Sequence, residues 1–120
     1  MKLLFVSPSY YPRVGGVEYV VKSVAERLAK MGHDVAVLAG EPDVERPVEE
    51  EVNGVRVTRW PVRSPSGAYH VPRRRGELVE RLRGAARESD VVHFHSVHSV
   101  FTIYALNALK DSSVRKVLTC

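Results

Sequence analysis

The chain has 120 residues, 44% of them hydrophobic and 27% charged, enough apolar content for one core and too much for a disordered polymer. Its one cysteine, Cys120, excludes an internal disulfide and suits a reducing compartment, so a cytoplasmic location is expected. The net charge of +4 is uneven: six acids crowd Glu41–Glu51, whereas Arg56–Arg87 holds nine arginines against Glu77 and Glu80, without the interleaved aromatic platform expected for a nucleic-acid partner.

The opening run Lys2–Val6 reads as a short buried strand. It is too short for a secretory h-region, because Ser7, Pro8 and Pro12 interrupt it. From Val17 the apolar positions 17, 20, 21, 24, 28 and 31 form one helical stripe, which Gly32 ends. On that helix Glu18, Lys22, Glu26 and Lys30 stand four apart as a salt-bridge row, and His33 is placed to favour the negative end of its dipole. A second strand follows over Asp34–Ala39, then a loop over Gly40–Pro47.

Val52-Asn53-Gly54-Val55 signals a hairpin, since Asn-Gly suits the two-residue turn. Beyond it Val55, Val57 and Trp60 alternate imperfectly with Arg56, Thr58 and Arg59 in a third strand. Pro61–Pro72 is expected to be a mobile loop, and Gly76–Glu88 a helix with Leu78, Val79, Leu82 and Ala86 on one side. Asp90–His95 is a fourth strand, Val97–Leu109 a largely apolar third helix, and Val114–Thr119 a fifth strand. The apolar region Val100–Leu109, broken by Thr102 and Asn107, is about half a membrane span. Alternating strands and helices imply an α/β domain: a parallel sheet of about five to six strands with helices on both faces, whose ligands bind outside the carboxyl ends of the strands.

The segment Ser7–Glu18 joins the first strand to the first helix through Gly15 and Gly16. In one reading the glycines only supply the backbone angles of a tight turn. In the other they leave the free N–H groups of the helix open to a phosphate, which the helix dipole favours. The spacing is neither the dinucleotide fingerprint nor the triphosphatase loop. His93 and His95 share a strand face and, with His98, raise a metal-hydrolase alternative, but the chain offers only His33 and His70 besides these three, both in loop contexts, and no metal site is expected. A histidine satisfied by a backbone hydrogen bond inside a buried strand is the plainer reading of His93.

Three stretches together resemble glycosyltransferase family 4: Pro12-Arg13-Val14-Gly15-Gly16-Val17-Glu18 with the helix leading to Lys30-Met31-Gly32-His33-Asp34-Val35, then Asn53-Gly54-Val55-Arg56-Val57, then Asp90-Val91-Val92-His93-Phe94-His95. The resemblance implies the Rossmann-like N-terminal half, residues 1–120, of a GT-B enzyme that transfers a sugar from a nucleotide-sugar donor to an acceptor with retention, and that needs no further cofactor. It implies that Gly15 and Gly16 approach the donor diphosphate and sugar, and that Tyr10, Arg13, Arg73, His95 and Ser96 line the acceptor side. Arg73, Arg74 and Arg75 lie where members with anionic or lipid-linked acceptors carry basic residues, so peripheral contact with a membrane is a further expectation. No catalytic residue is expected within the chain: the family's histidine would follow Cys120, and the nucleotide-binding half with its paired glutamates is absent, so these residues alone should be inactive. A non-catalytic sugar- or partner-binding module is the alternative.

Overall fold

The computed structural model describes residues 1–11, 16–64, 70–97 and 99–119. Its elements run β1 (Lys2–Ser7), α1 (Gly16–Lys30), β2 (Asp34–Glu41), β3 (Val48–Val52), β4 (Val55–Arg63), β5 (Val71–Pro72), α2 (Arg75–Glu88), β6 (Val91–His95), α3 (Val100–Ala108) and β7 (Arg115–Thr119). The seven strands form one sheet in the order β3-β4-β2-β1-β6-β7, with β5 added to β4. Pairing is parallel from β4 through β2, β1 and β6 to β7, and antiparallel only where β3 and β5 meet β4.

Helices cover both faces, as expected. Phe5, Val35, Val37, Val55 and Val57 point toward α1, where Val21 and Ala25 meet them. The alternate residues Leu4, Val6, Leu38, Trp60, Val62, Val92 and Phe94 meet Leu78, Leu82 and Ala86 of α2 and Phe101, Ala105 and Leu109 of α3. Burial on both sides explains why the central strands read as nearly continuous apolar runs. Edge strand β3 instead carries Glu49, Glu50 and Glu51, charges that discourage a further strand from pairing there. Edge strand β7 leaves Val117 and Leu118 about half exposed on its two faces.

Local chemistry sets the element ends. Asn53 and Gly54 both have positive φ, 52° and 84°, as the hairpin turn between β3 and β4 demands. Gly32, with φ 96°, lets the chain leave α1, and the His33 N–H closes back on the Leu28 carbonyl at 3.1 Å. The His33 ring meets the N-terminal amine at 3.3 Å, a contact its expected role at the helix end did not include. Of the anticipated salt-bridge row, Lys22–Glu26 forms at 3.3 Å, and Glu26 also accepts from Asn53 at 3.0 Å, tying α1 to the hairpin. The Glu18 side chain lies outside the described residues.

The stretch expected to be a mobile loop is largely structured where it is described. Pro61–Arg63 extends β4, Val71–Pro72 pairs back on it, and the seventh strand arises here. Trp60 supplies the cause: its ring is fully buried, and its indole N–H donates to the Arg73 carbonyl at 2.7 Å while the Arg73 N–H donates to the Pro61 carbonyl at 3.0 Å. An aromatic of this size needs both burial and a partner for its N–H. Returning the chain beside β4 supplies both.

A groove of about 710 Å³ opens toward the amino ends of β2 and β4, floored by Leu4, Ala36, Leu38 and Leu82 and rimmed in part by Gly84 of α2. Among its rim charges, Arg56 pairs with Asp34 at 2.7 Å and Arg81 with Glu49. A Cβ added at Gly84 would meet only the Arg87 guanidinium, at 3.9 Å. Glycine in a helix interior costs about 0.5–1 kcal/mol relative to alanine. Gly84→Ala is therefore expected to stabilise the domain by about that amount, read as a raised urea midpoint at unchanged slope; an unchanged or lowered midpoint would show that the site does not tolerate the methyl group.

Candidate functional site

The parallel strands β1, β2, β4, β6 and β7 all end at one edge, at Ser7, Glu41, Arg63, His95 and Thr119. Strand order reverses around β1, whose neighbours are β2 on one side and β6 on the other. Connections from β1 and β6 consequently leave to opposite faces, α1 and α3, which makes the carboxyl edge between them the topological crevice at which sheets of this kind bind ligands. Of the sequence-predicted site residues, Gly16, His95 and Ser96 are placed at that edge.

On its β1 side the chain turns sharply. The Ser7 hydroxyl donates to the Ser9 carbonyl at 2.8 Å, and Ser7 and Ser9 are both buried. Tyr10 is fully buried against the α1-side core, with its hydroxyl unpartnered among the described residues. Burial, with Glu26 adding to it, pushes the Tyr10 phenol up to about 12. Tyr10 thus proves a core residue, and an acceptor contact through its ring would require the loop to open. Gly16 begins α1, so its backbone stands at the positive end of the helix dipole, as the anion-site reading requires. Arg13 and Gly15 lie outside the described residues.

On the β6 side His95 is 5% exposed and its Nε2 has no partner among the described residues. Its ring stacks on His93 at 4.0 Å, and Phe5 presents an edge contact to each, at 5.6 Å from His93 and 5.4 Å from His95. Desolvation by burial, then the neighbouring His93, pulls the His95 imidazole down to about 4. It is neutral at physiological pH, and a neutral imidazole offers a ligand hydroxyl either a donor or an acceptor. His93 is half-buried rather than enclosed, and the Thr119 hydroxyl at 2.6 Å, not a backbone group, satisfies its Nε2. Because the two rings stack and His93 is so engaged, they do not converge as a metal pair.

Ser96 is buried in the left-handed region, φ 57°, a conformation that costs a side-chain-bearing residue of order 1 kcal/mol and is found where surrounding structure enforces it. The enforcing bonds are visible: the Thr102 hydroxyl donates to the His95 carbonyl at 2.7 Å, the Ser99 N–H to the Ser96 carbonyl at 2.8 Å, and the Ser99 hydroxyl caps α3 by accepting from the Thr102 N–H at 3.2 Å. Thr102 holds this turn yet carried no signal in the sequence beyond interrupting an apolar run.

Arg73 belongs to the same end of the molecule but to another surface. Its backbone is pinned beside Trp60 and Pro61, and its side chain is exposed. Arg74 sits at the amino end of α2 with φ 50° and pairs with Glu77 at 3.4 Å, while the Arg75 guanidinium lies 5.9 Å from the Tyr104 ring centroid.

One charged residue of the site was missed. Arg59 follows Val55 and Val57 on the α1 side of β4 and is 6% exposed. Its Nε donates to Glu50 at 3.1 Å and its Nη2 to the Tyr11 carbonyl at 2.6 Å. The imperfect alternation after the hairpin was its signal: position 59 falls on the buried set.

The family model described as Glycosyltransferase Family 4 matches residues 14–120. A GDP-mannose-dependent alpha-mannosyltransferase of Mycolicibacterium smegmatis is 38% identical over 103 residues, covering 80% of this chain and 26% of the relative. Among solved structures, sucrose-phosphate synthase from Thermosynechococcus elongatus superposes with a TM-score of 0.56 at 15% identity, over 98% of this chain and 32% of that one. The C-terminal domain of PF1911 hydrogenase from Pyrococcus furiosus gives the same score at 19% identity, over 99% and 91% of the two chains. Likenesses this distant in sequence concern the fold alone. The chain spans about a quarter of the curated relative.

The buried histidines make stability depend on pH. In the unfolded chain His95 takes up its proton near 6.5, whereas in the folded protein it resists protonation down to about 4. Between these values the unfolded state binds more protons, so stability is complete above the window and falls as pH drops through it. His93, also lowered by burial, adds in the same direction. Urea unfolding is expected to show a loss of about 2 kcal/mol from His95 between pH 7 and pH 5, a slope that His95→Gln reduces. Equal slopes in the two proteins would mean that the folded state does not hold this imidazole neutral.

Proposed function

The chain belongs to glycosyltransferase family 4, and on that premise we propose that residues 1–120 are the N-terminal, acceptor-side half of a GT-B enzyme that transfers a sugar from a nucleotide-sugar donor to an acceptor with retention of configuration. The observation that carries the proposal is the crevice between β1 and β6, where the amino end of α1 and the strained His95–Ser96 turn reach the same edge of the sheet. As the glycosidic bond to the donor breaks, negative charge accumulates on the departing nucleoside diphosphate. Backbone N–H groups at Gly15 and Gly16 and the dipole of α1 then stabilise that charge more strongly than they stabilise the intact donor. Across the crevice the unpartnered Nε2 of neutral His95, with Ser96, hydrogen-bonds an acceptor hydroxyl. Arg13 and Arg73 contribute charge for an anionic acceptor group. Cytoplasmic nucleotide sugars are the accessible donors, and the mannosyltransferase relative makes GDP-mannose the first to test.

The chain spans about a quarter of the curated relative, and in our reading these residues alone do not catalyse transfer. Isothermal calorimetry with GDP-mannose is expected to give millimolar affinity or none for the 120-residue chain, because half a cleft leaves most of the ligand in water. In a two-domain enzyme carrying this domain, Gly16→Val should abolish transfer while circular dichroism and melting stay unchanged. Normal turnover in that folded variant overturns the diphosphate contact. Micromolar affinity in the isolated chain means that the donor site is misplaced and favours the binding-module alternative.

A second surface concerns the acceptor. Arg73, Arg74 and Arg75 are exposed beside the amino end of α2, a grouping that attracts anionic headgroups at about 1 kcal/mol per basic residue. Insertion of α2 itself is not part of this reading, since Leu78, Leu82 and Ala86 are buried against the sheet. Among the described residues no helix is long and apolar enough to cross a membrane. The contact is therefore electrostatic and salt-sensitive. Sedimentation with anionic vesicles at low salt should recover the native chain and not the variant with all three arginines changed to Ser; equal behaviour of the two removes the membrane role.

A further inference from the structure

Arg59 is a charge among the buried residues of the α1-side sheet face, and burying an unpaired guanidinium would cost several kcal/mol. Its contacts show how it is accommodated. Glu50 on the edge strand β3 receives Nε at 3.1 Å, the Tyr11 carbonyl receives Nη2 at 2.6 Å, and the Tyr10 ring centroid lies 6.0 Å from the guanidinium carbon. β4, which carries Arg59, is two strands from β1, which carries Tyr10 and Tyr11 at its carboxyl end. Ser7–Tyr11 must therefore cross the end of β2 to reach it. The crossing is close: a Cβ at Gly40 of β2 would stand 2.7 Å from the Pro8 carbonyl oxygen and 3.0 Å from Val62 Cγ1. Beyond the crossing, the Lys22 ammonium of α1 lies 4.9 Å above the Tyr11 ring.

We infer that Arg59 is a positioning residue: by bridging Glu50 and the Tyr11 carbonyl it locks Ser7–Tyr11 as a strap over the carboxyl ends of β2 and β4, and so fixes the direction from which the chain enters α1. The bond goes to a backbone carbonyl, so what Arg59 specifies is the course of the main chain and not the identity of residue 11. Geometry favours arginine, since its planar fork presents fixed donors toward a carboxylate and a carbonyl at once. The ion pair itself adds little stability, because Glu50 is half exposed and solvent screens the pair. As far as the strap serves donor binding, through Gly15 and Gly16 four and five residues beyond Tyr11, the inference rests on the transferase reading proposed above.

The test is 15N relaxation on the 120-residue chain and its Arg59→Met and Arg59→Lys variants, together with urea unfolding. In the native protein the amides of Ser9, Tyr10 and Tyr11 should have order parameters near the rigid value of about 0.85. In Arg59→Met they should fall below about 0.6 while Val21–Lys30 and Val91–His95 keep theirs and the unfolding midpoint holds; Arg59→Lys, with one reach instead of two, should fall between. Amides that stay rigid in Arg59→Met, or a loss spread evenly over the domain, overturn the inference. Should Arg59→Met not fold, Glu50→Leu removes the other end of the bridge at a half-exposed side chain; there an unchanged Tyr11 amide overturns it equally. Titration with inorganic pyrophosphate, followed at the amides of Gly16–Val20, separates the two readings. Millimolar shifts that weaken about tenfold in Arg59→Met support both. A loosened strap in Arg59→Met, with no pyrophosphate shift in the native chain, upholds Arg59 and removes its link to diphosphate binding in the isolated chain.

Discussion

Strand β1 pairs in parallel with β2 along Lys2–Ser7 and with β6 along Leu3–Val6, and its inner residues Leu4, Phe5 and Val6 are buried, Leu4 and Val6 toward one face and Phe5 toward the other. A strand enclosed this way cannot slip by one residue, because a slip would exchange its two apolar faces and break both ladders. Fixing β1 fixes where Ser7 ends, and with it the start of the turn into α1. Fixing its pairing with β6 places His95 beside that end. The crevice, the strap and the stacked histidines over Phe5 all inherit their positions from this one doubly paired strand.

What could be read from residues alone followed the same logic. Elements whose side chains repeat on a clear period, such as Asp34–Ala39 or the stripe of α1, were legible because burial on a regular element writes a regular pattern. The hairpin was legible because only a few residue pairs accept two consecutive positive φ values. The Pro61–Pro72 stretch misled for the opposite reason. Proline and serine there describe local stiffness and polarity, whereas the decisive interaction is the reach of the Trp60 indole to the Arg73 carbonyl, thirteen residues away. Tyr10 was open between packing over the sheet and touching a sugar, and its ring is buried in the core. His95 and Ser96 were legible as a place, the end of a strand, but the unpartnered Nε2 and the left-handed Ser96 exist only once Thr102 and Ser99 close the turn.

The arginines divide into two kinds that composition alone cannot separate. Arg59 is buried, engaged twice and aimed at a backbone carbonyl, so its charge serves geometry. Arg73, Arg74 and Arg75 are exposed around a helix end that is itself positive, where their own repulsion opposes them. Like charges held together against that repulsion form a surface attractive to anions at the same end of the molecule as the crevice.

Gly40 gives the architecture an asymmetry in what it can change. Its missing side chain is the space through which the Pro8 carbonyl passes, and the atoms on either side belong to a main chain and to a core valine, neither of which yields. The residues of the strap that face outward, such as half-exposed Tyr11, can vary without disturbing this crossing. A lineage varying this domain is thus free to rewrite what the strap presents while residue 40 stays at the smallest letter of the alphabet, an immovable pivot beneath a changeable surface.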